Sequence, residues 1–252
     1  MYDVIIVGCG VAGAYLASKL DGLNVLLIEK NKNIILKDSG IVSKDFLDFF
    51  GEDLIKNEIT RMDAFSPAGH TFTLNSRKPF AYIIKRERFS HLLRTDARKS
   101  ATIVHDNVLG VKFNEDSVHV HGVNGVYEGK IVVGADGANS VVRRYSRIRR
   151  PLLSLGIMVK TNRKLEGNIN VFFNKFYSPD FFSWIIPQND EYGTISSLRP
   201  RSYLKNFKED QYLPNGKTYA YLIPTGYVKS YGDRMILVGD SCGQNKINSL
   251  FC

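Results

Sequence analysis

Three short motifs in the sequence place glycine directly after an apolar run, in two cases together with an aspartate. The first motif is Gly8-Cys9-Gly10-Val11-Ala12-Gly13, and the other two contain Gly134-Ala135-Asp136-Gly137 and Gly239-Asp240. Glycine lets the main chain approach a phosphate group closely, and carboxylates accept hydrogen bonds from sugar hydroxyls. These residue types therefore predict a site for a nucleotide that carries a diphosphate and a ribose.

The first motif lies inside a predicted strand–helix–strand unit. The apolar run from Asp3 to Val7 precedes it, and a helical stretch rich in Ala and Leu follows from Ala12 to Leu20. A second apolar strand from Val25 to Ile28 ends on Glu29. A glycine loop, a helix and an acidic residue in this order are typical of a dinucleotide-binding unit, and this order is stronger evidence than the glycines alone.

Each residue of this unit has an expected role. Gly8 permits the tight turn, Gly10 lets the backbone approach the pyrophosphate, and Gly13 lets the helix pack against the strand. The amino end of the helix offers N–H groups to the phosphates. We expect Glu29 to accept hydrogen bonds from the ribose hydroxyls, which favours FAD or NAD over NADP.

Composition limits the function classes. The chain has 252 residues, of which 44% are hydrophobic, and a net charge of +9. This charge favours anionic partners, but no nucleic-acid-binding motif accompanies it, so we do not expect nucleic acid as a partner. The three cysteines have no metal-ligand spacing, and no apolar run is long enough to cross a bilayer. We expect an intracellular, cytoplasmic protein without a metal site.

Taken together, the GxGxxG, G-A-D-G-x-x-S-x-x-R and G-D-x-x-G motifs resemble the flavoprotein class that includes aromatic hydroxylases and geranylgeranyl reductases. The resemblance implies that Asp240 meets the ribityl chain of FAD and that Asp136 lies near the pyrophosphate. It also implies a flavin contact for Arg86, although Ser90 replaces the Asp that is usual in that segment. Taken separately, Asp136 is also compatible with a turn, Asp240 with a helix cap and Arg86 with a solvated charge.

The predicted cofactor is FAD, and no second GxGxxG motif exists for a pyridine nucleotide. The electron donor therefore stays open between NAD(P)H and a ferredoxin-like protein. The predicted cofactor-binding residues are Gly8, Gly10, Val11, Ala12, Gly13, Glu29, Lys30, Arg86, Asp136, Gly137, Gly239 and Asp240.

Two further segments resemble the geranylgeranyl reductase family, which reduces isoprenoid double bonds. Phe182-Ser183-Trp184-Ile185-Ile186-Pro187 looks like its aromatic substrate segment, which implies that Phe182, Trp184 and Pro187 line a lipid pocket. Trp184 and Phe182 are equally compatible with a core. The segment from Lys37 to Ser43 resembles the C-x-G-x-x-S loop, which implies substrate contacts for Ser39 and Gly40, but Asp38 stands in place of the cysteine. An ordinary surface turn fits that segment about as well.

The catalytic residues are not identified by the sequence. Reduction of a double bond needs a hydride from the flavin and a proton for the other carbon. Ser39, Tyr82 and Cys242 are the candidates for the proton source. The run from Arg143 to Arg150 holds five arginines, which we interpret as a solvated face. The more specific alternative is that these arginines contact lipid phosphate or a membrane surface.

The segment after Gly243 departs from the family pattern, because no Gly-Gly-Gly-like loop or helix follows it. We expect a C-terminally truncated chain with weak or absent turnover, because the missing helix would stabilise negative charge on the reduced flavin.

The predicted fold is an α/β Rossmann-like FAD-binding domain with an inserted antiparallel β-sheet substrate domain. Residues 1–58, 86–150 and 229–252 are assigned to the FAD-binding domain, and 59–85 and 151–228 to the substrate domain, with a strand from Thr218 to Ile223. The leading function is an FAD-dependent reductase of isoprenoid lipids. An aromatic-hydroxylase-type monooxygenase and a non-catalytic FAD-binding paralogue remain alternatives, and the oligomeric state stays open.

Overall fold

The computed structural model of the chain describes residues 1–36 and 39–244. In chain order, its strands are β1 (Tyr2–Val7), β2 (Val25–Glu29), β3 (Ile41–Ser43), β4 (Ile55–Ile59), β5 (Arg61–Phe65), β6 (Thr71–Asn75), β7 (Ala81–Ile84), β8 (Ala101–His105), β9 (Val108–Phe113), β10 (Val118–Gly122), β11 (Val126–Gly134), β12 (Leu152–Thr161), β13 (Ile169–Phe172), β14 (Ser183–Ile186), β15 (Glu191–Ser196), β16 (Gly216–Thr225), β17 (Tyr231–Gly232) and β18 (Met235–Leu237). The α-helices are α1 (Val11–Ala17), α2 (Arg86–Ser100), α3 (Val141–Tyr145) and α4 (Pro200–Asp210).

The chain divides into two compact units, each made of separate segments. Of the described residues, 1–36, 86–152 and 224–244 form the first unit, and 39–85 and 153–223 form the second. The sequence-based boundaries differ mainly in residues 39–58, which the contacts group with the second unit. The assignment of cofactor binding to one unit and substrate binding to the other remains a prediction.

The first unit is built on an eight-stranded sheet, six strands of which have the order β17-β18-β11-β1-β2-β8. The other two continue from β11, because β10 pairs with β11 and β9 pairs with β10. The pairs β1–β11, β1–β2, β2–β8 and β11–β18 are parallel. Parallel neighbours deliver their carboxyl ends to one edge of a sheet, which is where open α/β sheets bind ligands. The glycine loop after β1, Glu29 in β2 and the motifs after β11 and β18 therefore share that edge.

The core of this unit comes from the apolar strands that the sequence shows as β-branched runs. Ile5, Leu26, Val118, Val120 and Val132 are each fully buried within it. Strands that are buried on both faces consist of almost continuous apolar residues, as β1 and β2 do. The strands of the opening unit predicted from the sequence are confirmed.

Helix α1 is shorter than the predicted stretch from Ala12 to Leu20. It ends at Ala17, and the hydroxyl of Ser18 donates a 2.7 Å hydrogen bond back to the main-chain oxygen of Tyr15. Beyond it, the N–H groups of Lys19 and Leu20 bond to carbonyls three residues earlier. The last predicted turn is therefore wound more tightly than an α-helix, as is common at helix ends.

The second unit contains a seven-stranded sheet with order β16-β12-β15-β14-β13-β5-β6 and a three-stranded sheet with order β3-β7-β4. The pairs of β14 with β13 and with β15 are antiparallel, as expected, but β5 and β13 run parallel. These two strands come from separate segments of the chain and are not joined by a hairpin, so their direction is not restricted to antiparallel. The predicted strand from Thr218 to Ile223 lies inside β16 and is confirmed.

Two apolar clusters pack in the second unit. Ile83 and Ile186 belong to the first cluster, against which Phe182 and Trp184 are partly buried. The second cluster gathers aromatic rings around Phe207 of α4, including Phe172 and Tyr192. The predicted fold class, an α/β unit with a second unit rich in β-sheet, is confirmed. Among the described residues, no helix is long and apolar enough to cross a membrane.

Candidate cofactor site

The glycine loop between β1 and α1 contains three glycines whose steric surroundings differ. A Cβ on Gly8, whose φ is +102°, would lie 2.4 Å from the main-chain oxygen of Ala135, and a Cβ on Gly13 would lie 2.0 Å from the main-chain oxygen of Gly8. A Cβ on Gly10 would meet no described heavy atom within 4 Å. The fold itself requires Gly8 and Gly13, whereas the protein leaves the space beside Gly10 open.

Helix α1 begins directly after this loop. Gly10 is its N-cap residue, with no side-chain hydrogen bond at the cap and no acidic residue in the first turn. Val11 is exposed and Ala12 is partly buried at the start of the helix. No acidic side chain of the first turn therefore competes with a phosphate at the amino end of the helix.

Glu29 is buried at the end of β2 and is fixed by two main-chain donors. Its Oε2 accepts a 2.8 Å hydrogen bond from the N–H of Cys9, and its Oε1 accepts a 2.8 Å bond from the N–H of Asn31. Each carboxylate oxygen can accept a second bond, so the group holds the glycine loop and still has acceptor capacity for ribose hydroxyls. Lys30, which follows it, is exposed.

Asp136 lies in the loop after β11. Its Oδ2 accepts hydrogen bonds from the N–H groups of Val141 (2.6 Å) and Val142 (3.3 Å), which begin α3. Its Oδ1 is buried and has no hydrogen-bond partner in the part of the chain that the structure describes. Burial raises the pKa of this carboxyl, although the hydrogen bonds that it accepts act in the opposite direction. Asp136 is thus a turn residue and also presents an unused acceptor.

The third motif forms a short 3-10 helix, Gly239–Cys242, directly after β18. Gly239 has a φ of +64° and its N–H donates a 3.1 Å hydrogen bond to Oε1 of Gln244. The hydroxyl of Ser241 donates to the main-chain oxygens of Gly134 (2.6 Å) and Val238 (2.8 Å). These bonds tie the Asp240 turn to the end of the neighbouring strand β11.

Arg143 is both the last residue of the G-A-D-G-x-x-S-x-x-R motif and the first arginine of the run from Arg143 to Arg150. It is only 3% exposed, and its guanidinium donates from Nη1 to the main-chain oxygen of Ser241 (2.6 Å) and from Nη2 to that of Ala138 (2.7 Å). The interpretation of the arginine run as a solvated face is therefore wrong for Arg143, because the carbonyls of two loops attract its cation inward. The other four arginines of the run are exposed.

Two further predicted cofactor residues, Arg86 and Gly137, also lie in the first unit. Arg86 is the first residue of α2 and is partly buried, and Gly137 has a φ of +81° in the Asp136 loop. The residues of the first unit fit a dinucleotide on two observations, the open space at Gly10 and the unused buried acceptor of Asp136. The function of each residue toward FAD remains a prediction.

In the second unit, the predicted substrate residues Ser39, Gly40 and Pro187 are linked through Asn189. Its Nδ2 donates a 2.9 Å hydrogen bond to the main-chain oxygen of Ser39, and its Oδ1 accepts a 2.9 Å bond from Nζ of Lys56. Pro187 begins the 3-10 helix that contains Asn189, and Gly40 has a φ of +72°. Sequence reasoning did not single out Asn189 or Lys56. Lys37 and Asp38, and with them the position of the absent cysteine, lie outside the described residues.

Trp184 and Phe182 contact each other edge-on, with ring centroids 6.1 Å apart. The indole lies over Gly193 on the neighbouring strand, where a Cβ would be 2.5 Å from its Cζ2 atom. Its Nε1 is buried and has no acceptor among residues 1–36 and 39–244. Trp184 thus belongs to a core cluster at one side and carries an unused donor.

Among the candidate proton sources, Cys242 has the least suitable surroundings. It is fully buried, its Sγ lies 3.3 Å from the main-chain oxygen of Gly239, and burial raises the pKa of its thiol. Cys9 is likewise buried, which raises its pKa to about 11. These thiols are packing residues rather than acids near neutral pH. Tyr82 is partly buried in β7, and Ser39 is partly buried before β3.

Residues 1–213 match the protein family described as "FAD binding domain". Curated relatives include the digeranylgeranylglycerophospholipid reductase of Methanocaldococcus jannaschii, 26% identical over 97% of this chain and 71% of the relative. The enzyme of the same name from Methanococcus vannielii is 27% identical over 96% of this chain and 70% of the relative. The chain thus corresponds to about seven tenths of their length.

Solved structures share the fold. A geranylgeranyl bacteriochlorophyll reductase-like protein from Thermoplasma acidophilum has a TM-score of 0.82 at 22% identity, covering 96% of this chain and 72% of that one. A p-nitrophenol 4-monooxygenase from Pseudomonas putida has a TM-score of 0.73 at 18% identity, covering 98% and 74%. The predicted cofactor FAD and the predicted similarity to geranylgeranyl reductases are confirmed. The chain belongs to the FAD binding domain family, and over almost its whole length it is homologous to flavoproteins of the geranylgeranyl reductase type.

Proposed function

We propose that this chain is an FAD-dependent reductase that saturates isoprenoid double bonds of a lipid. The observation that carries this proposal is sequence similarity over 96–97% of the chain to curated proteins named digeranylgeranylglycerophospholipid reductase. The similarity includes both units, so it covers the segments proposed for cofactor binding (1–58, 86–150 and 229–252) and for substrate binding (59–85 and 151–228).

The chain's own residues would hold FAD at the carboxyl edge of the first unit's sheet. Gly10 leaves space for the pyrophosphate, and Glu29, already fixed by two main-chain bonds, accepts from the ribose hydroxyls. Asp136 offers its buried Oδ1 to a donor beside the pyrophosphate. In the same proposal Asp240 meets the ribityl chain, and Arg86 contacts the flavin. When bound and reduced, FAD supplies the hydride equivalent.

The second unit would position the lipid. Phe182, Trp184 and Pro187 provide apolar surface, and Asn189 fixes the Ser39–Gly40 turn by its bond to the Ser39 oxygen. Ser39 and Tyr82 are proposed to supply or relay the proton that completes saturation, because their hydroxyls can donate and are only partly buried, whereas the Cys242 thiol is fully buried.

We also propose that the protein contacts the membrane surface peripherally, where such a lipid substrate resides. Arg144, Arg147, Arg149 and Arg150 are exposed, and the chain carries a net charge of +9. Exposed basic residues attract anionic lipid headgroups. Co-sedimentation with vesicles that contain anionic phospholipid, compared with vesicles of neutral phospholipid alone, tests this contact.

A turnover assay tests the reductase proposal. The purified protein is loaded with FAD, reduced with dithionite without oxygen, and mixed with digeranylgeranylglycerophospholipid, whose products are followed by mass spectrometry. We expect products that gain two hydrogen atoms for each double bond reduced. FAD binding without any such product would support the non-catalytic alternative, and a product that contains oxygen in aerated samples with NADPH would support a monooxygenase. Absence of flavin bands after FAD titration would contradict the whole proposal.

A further inference from the structure

Strand β6, an edge strand of the seven-stranded sheet, leaves apolar side chains uncovered. Phe72 is 69% exposed and Leu74 is 36% exposed. Phe72 lies opposite Ala64 of β5, and Leu74 lies opposite Met62, which is buried in an apolar cluster. Residues directly opposite each other in an antiparallel pair share one face of the sheet. The apolar face of the sheet is therefore covered at β5 and uncovered at β6.

The other face of β6 is polar and its bonds are satisfied. Thr73 lies opposite Asp63, and its hydroxyl donates a 2.6 Å hydrogen bond to Oδ1 of that carboxylate. Polar and apolar residues thus alternate along β6, as in a strand that has one face in contact with an apolar partner. Edge strands are usually protected by charged residues or proline, and β6 contains neither. An apolar partner on the side of Phe72 and Leu74 would complete this face.

The charges around β6 favour an anionic partner. Residues 64–86 contain no aspartate or glutamate, and Arg77 and Lys78 are exposed directly after the strand. Basic residues attract anionic lipid headgroups, and aromatic side chains favour the boundary between headgroups and hydrocarbon. A second copy of the chain is a poorer partner, because a two-fold symmetric contact at β6 would bring the same cations together.

The uncovered aromatic side chains also continue toward the segment that is proposed to hold the lipid. The N–H of Phe173 bonds to the main-chain oxygen of Phe65, which lies opposite Thr71, so only β5 separates Phe173 from β6. Phe173 is exposed, and its ring centroid lies 6.0 Å from that of Phe182. Phe182 is one of the residues predicted to line the lipid pocket. A surface that meets lipid at β6 would therefore adjoin that segment.

We propose that β6 is an edge by which the second unit contacts a bilayer that contains anionic phospholipid. Phe72 and Leu74 enter the boundary between headgroups and hydrocarbon, and Arg77 and Lys78 bind lipid phosphates. This inference rests on the proposed peripheral contact with the membrane and assigns to it a surface other than the run from Arg143 to Arg150.

Co-sedimentation with vesicles tests the surface. The vesicles contain either phosphatidylglycerol and phosphatidylcholine or phosphatidylcholine alone. Binding of F72S/L74S to the anionic vesicles should be about tenfold weaker or more, because two apolar side chains no longer leave water. Binding of R77Q/K78Q to the same vesicles should fall by a similar factor, since each basic residue near the surface contributes about fivefold. This second variant should bind neutral vesicles as the wild type does.

F49S/L198S is the matched control, because it replaces a phenylalanine and a leucine of the second unit that are also exposed. Its binding to both kinds of vesicle should equal that of the wild type. Circular dichroism confirms that each variant is folded before its binding is compared.

Fluorescence quenching measures insertion directly. In W184F/F72W the chain's one tryptophan is moved to β6, and vesicles with lipids brominated in their acyl chains should quench it. The tryptophan of W184F/F49W should stay unquenched. Wild-type protein that does not bind anionic vesicles, folded F72S/L74S that binds them equally well, or an unquenched W184F/F72W would overturn the inference. Self-association of the wild type that F72S/L74S abolishes would overturn it in favour of a second copy at β6.

None of these measurements requires turnover, so the two proposals fail separately. Vesicle binding through β6 without any reduced lipid in the turnover assay would refute the proposed reductase and leave the membrane surface standing. Reduced lipid formed by a protein whose β6 variants bind vesicles normally would refute only the membrane surface.

Discussion

Arg143 donates a 2.6 Å hydrogen bond to the main-chain oxygen of Ser241, a residue 98 positions later in the chain. The sheet brings the two residues near each other, because β11 and β18 are parallel neighbours with Gly134 opposite Leu237. Strand pairing thus brings the second and third motifs to the same edge of the sheet, and the guanidinium of Arg143 bonds to the main chain of both.

Gly10 should be needed for FAD binding and not for folding. Its φ of −75° and ψ of −170° suit alanine, and no described atom would contact the added Cβ. We expect apo-G10A to unfold within about 0.5 kcal/mol of the wild type, since the substitution causes no clash. FAD affinity should fall about tenfold or more, because the methyl group occupies the space of the pyrophosphate. Thermal unfolding and FAD titration check both expectations.

Gly13 provides the matched comparison for Gly10. In G13A the Cβ would lie 2.0 Å from the main-chain oxygen of Gly8, so the loop must distort. We expect this apoprotein to lose about 1–3 kcal/mol of stability. Equal stability of G13A and G10A would contradict the expected steric conflict at Gly13.

The parts of this candidate site that lie within one continuous segment could be predicted from the sequence, whereas contacts between segments far apart in the chain could not. Gly8, Gly13 and Glu29 belong to one continuous strand–helix–strand unit, so their spacing along the chain reflects their spacing in the fold. Arg143 ends the G-A-D-G-x-x-S-x-x-R motif, but it also stands among five arginines within eight residues, and such runs are usually solvated. Its burial depends on the carbonyl of Ser241, whose position is set by the pairing of strands that are far apart in sequence.

The same reason explains why a strand pairing and a helix end differ from what the sequence predicts. The parallel pairing of β5 and β13 depends on where two separate segments meet, and no local pattern encodes it. The early end of α1 depends on the bond from Ser18 to Tyr15, which competes with continuation of the helix. Strand positions, which depend on apolar periodicity within one segment, were predicted more closely.

Asp136 should make the stability of the apoprotein fall as pH rises. Burial raises the pKa of its carboxyl above the ordinary value of about 3.9, so the folded state holds the proton at pH values where the unfolded chain has lost it. The favourable contribution of Asp136 to the free energy of unfolding is complete below the ordinary pKa, and it is lost as pH rises through the raised pKa. In D136N this contribution is absent, so the stability difference between wild type and D136N should change over that interval.

Urea unfolding of the two apoproteins at a series of pH values measures this difference. Using the difference removes the contributions of other carboxyls, such as Asp63 and Asp106, whose pKa values are lowered. D116N is the control, since the Asp116 side chain is 97% exposed, and its difference from the wild type should stay nearly constant. A constant difference for D136N as well would contradict the prediction.

Asn189 should stabilise the Ser39–Gly40 turn of the second unit. In N189A the oxygen of Ser39 loses its 2.9 Å bond and Lys56 loses one of its acceptors. We expect a loss of about 1–2 kcal/mol in the free energy of unfolding, as for a removed hydrogen bond with a partner left behind. Amide hydrogen exchange should also become faster at Ile41, whose N–H bonds to the Ser39 hydroxyl. N57A, at an exposed position of β4, should have little effect, and an equal loss in both variants would refute this role.

Trp184 should be replaceable by phenylalanine without much loss of stability. The substitution leaves a small gap above Gly193, but it also removes the buried Nε1 donor, which has no acceptor within the described residues. We expect W184F to unfold within about 1 kcal/mol of the wild type, because the two effects oppose each other. W184A should lose about 3 kcal/mol, since it removes the ring contacts with Phe182 and leaves a cavity. Chemical denaturation followed by circular dichroism checks this order, since each variant lacks the chain's one tryptophan.

The pair of variants also decides between the two interpretations of Trp184. If the indole lines the lipid pocket, its ring offers more contact area than a phenyl ring, and folded W184F should bind the lipid more weakly than the wild type. If the indole is only part of the cluster around Ile83 and Ile186, W184F should bind the lipid equally well. We expect the weaker binding, measured by titration with digeranylgeranylglycerophospholipid dispersed in neutral detergent. F182L tests whether any loss is specific to the indole, because it changes the neighbouring apolar surface and retains Trp184.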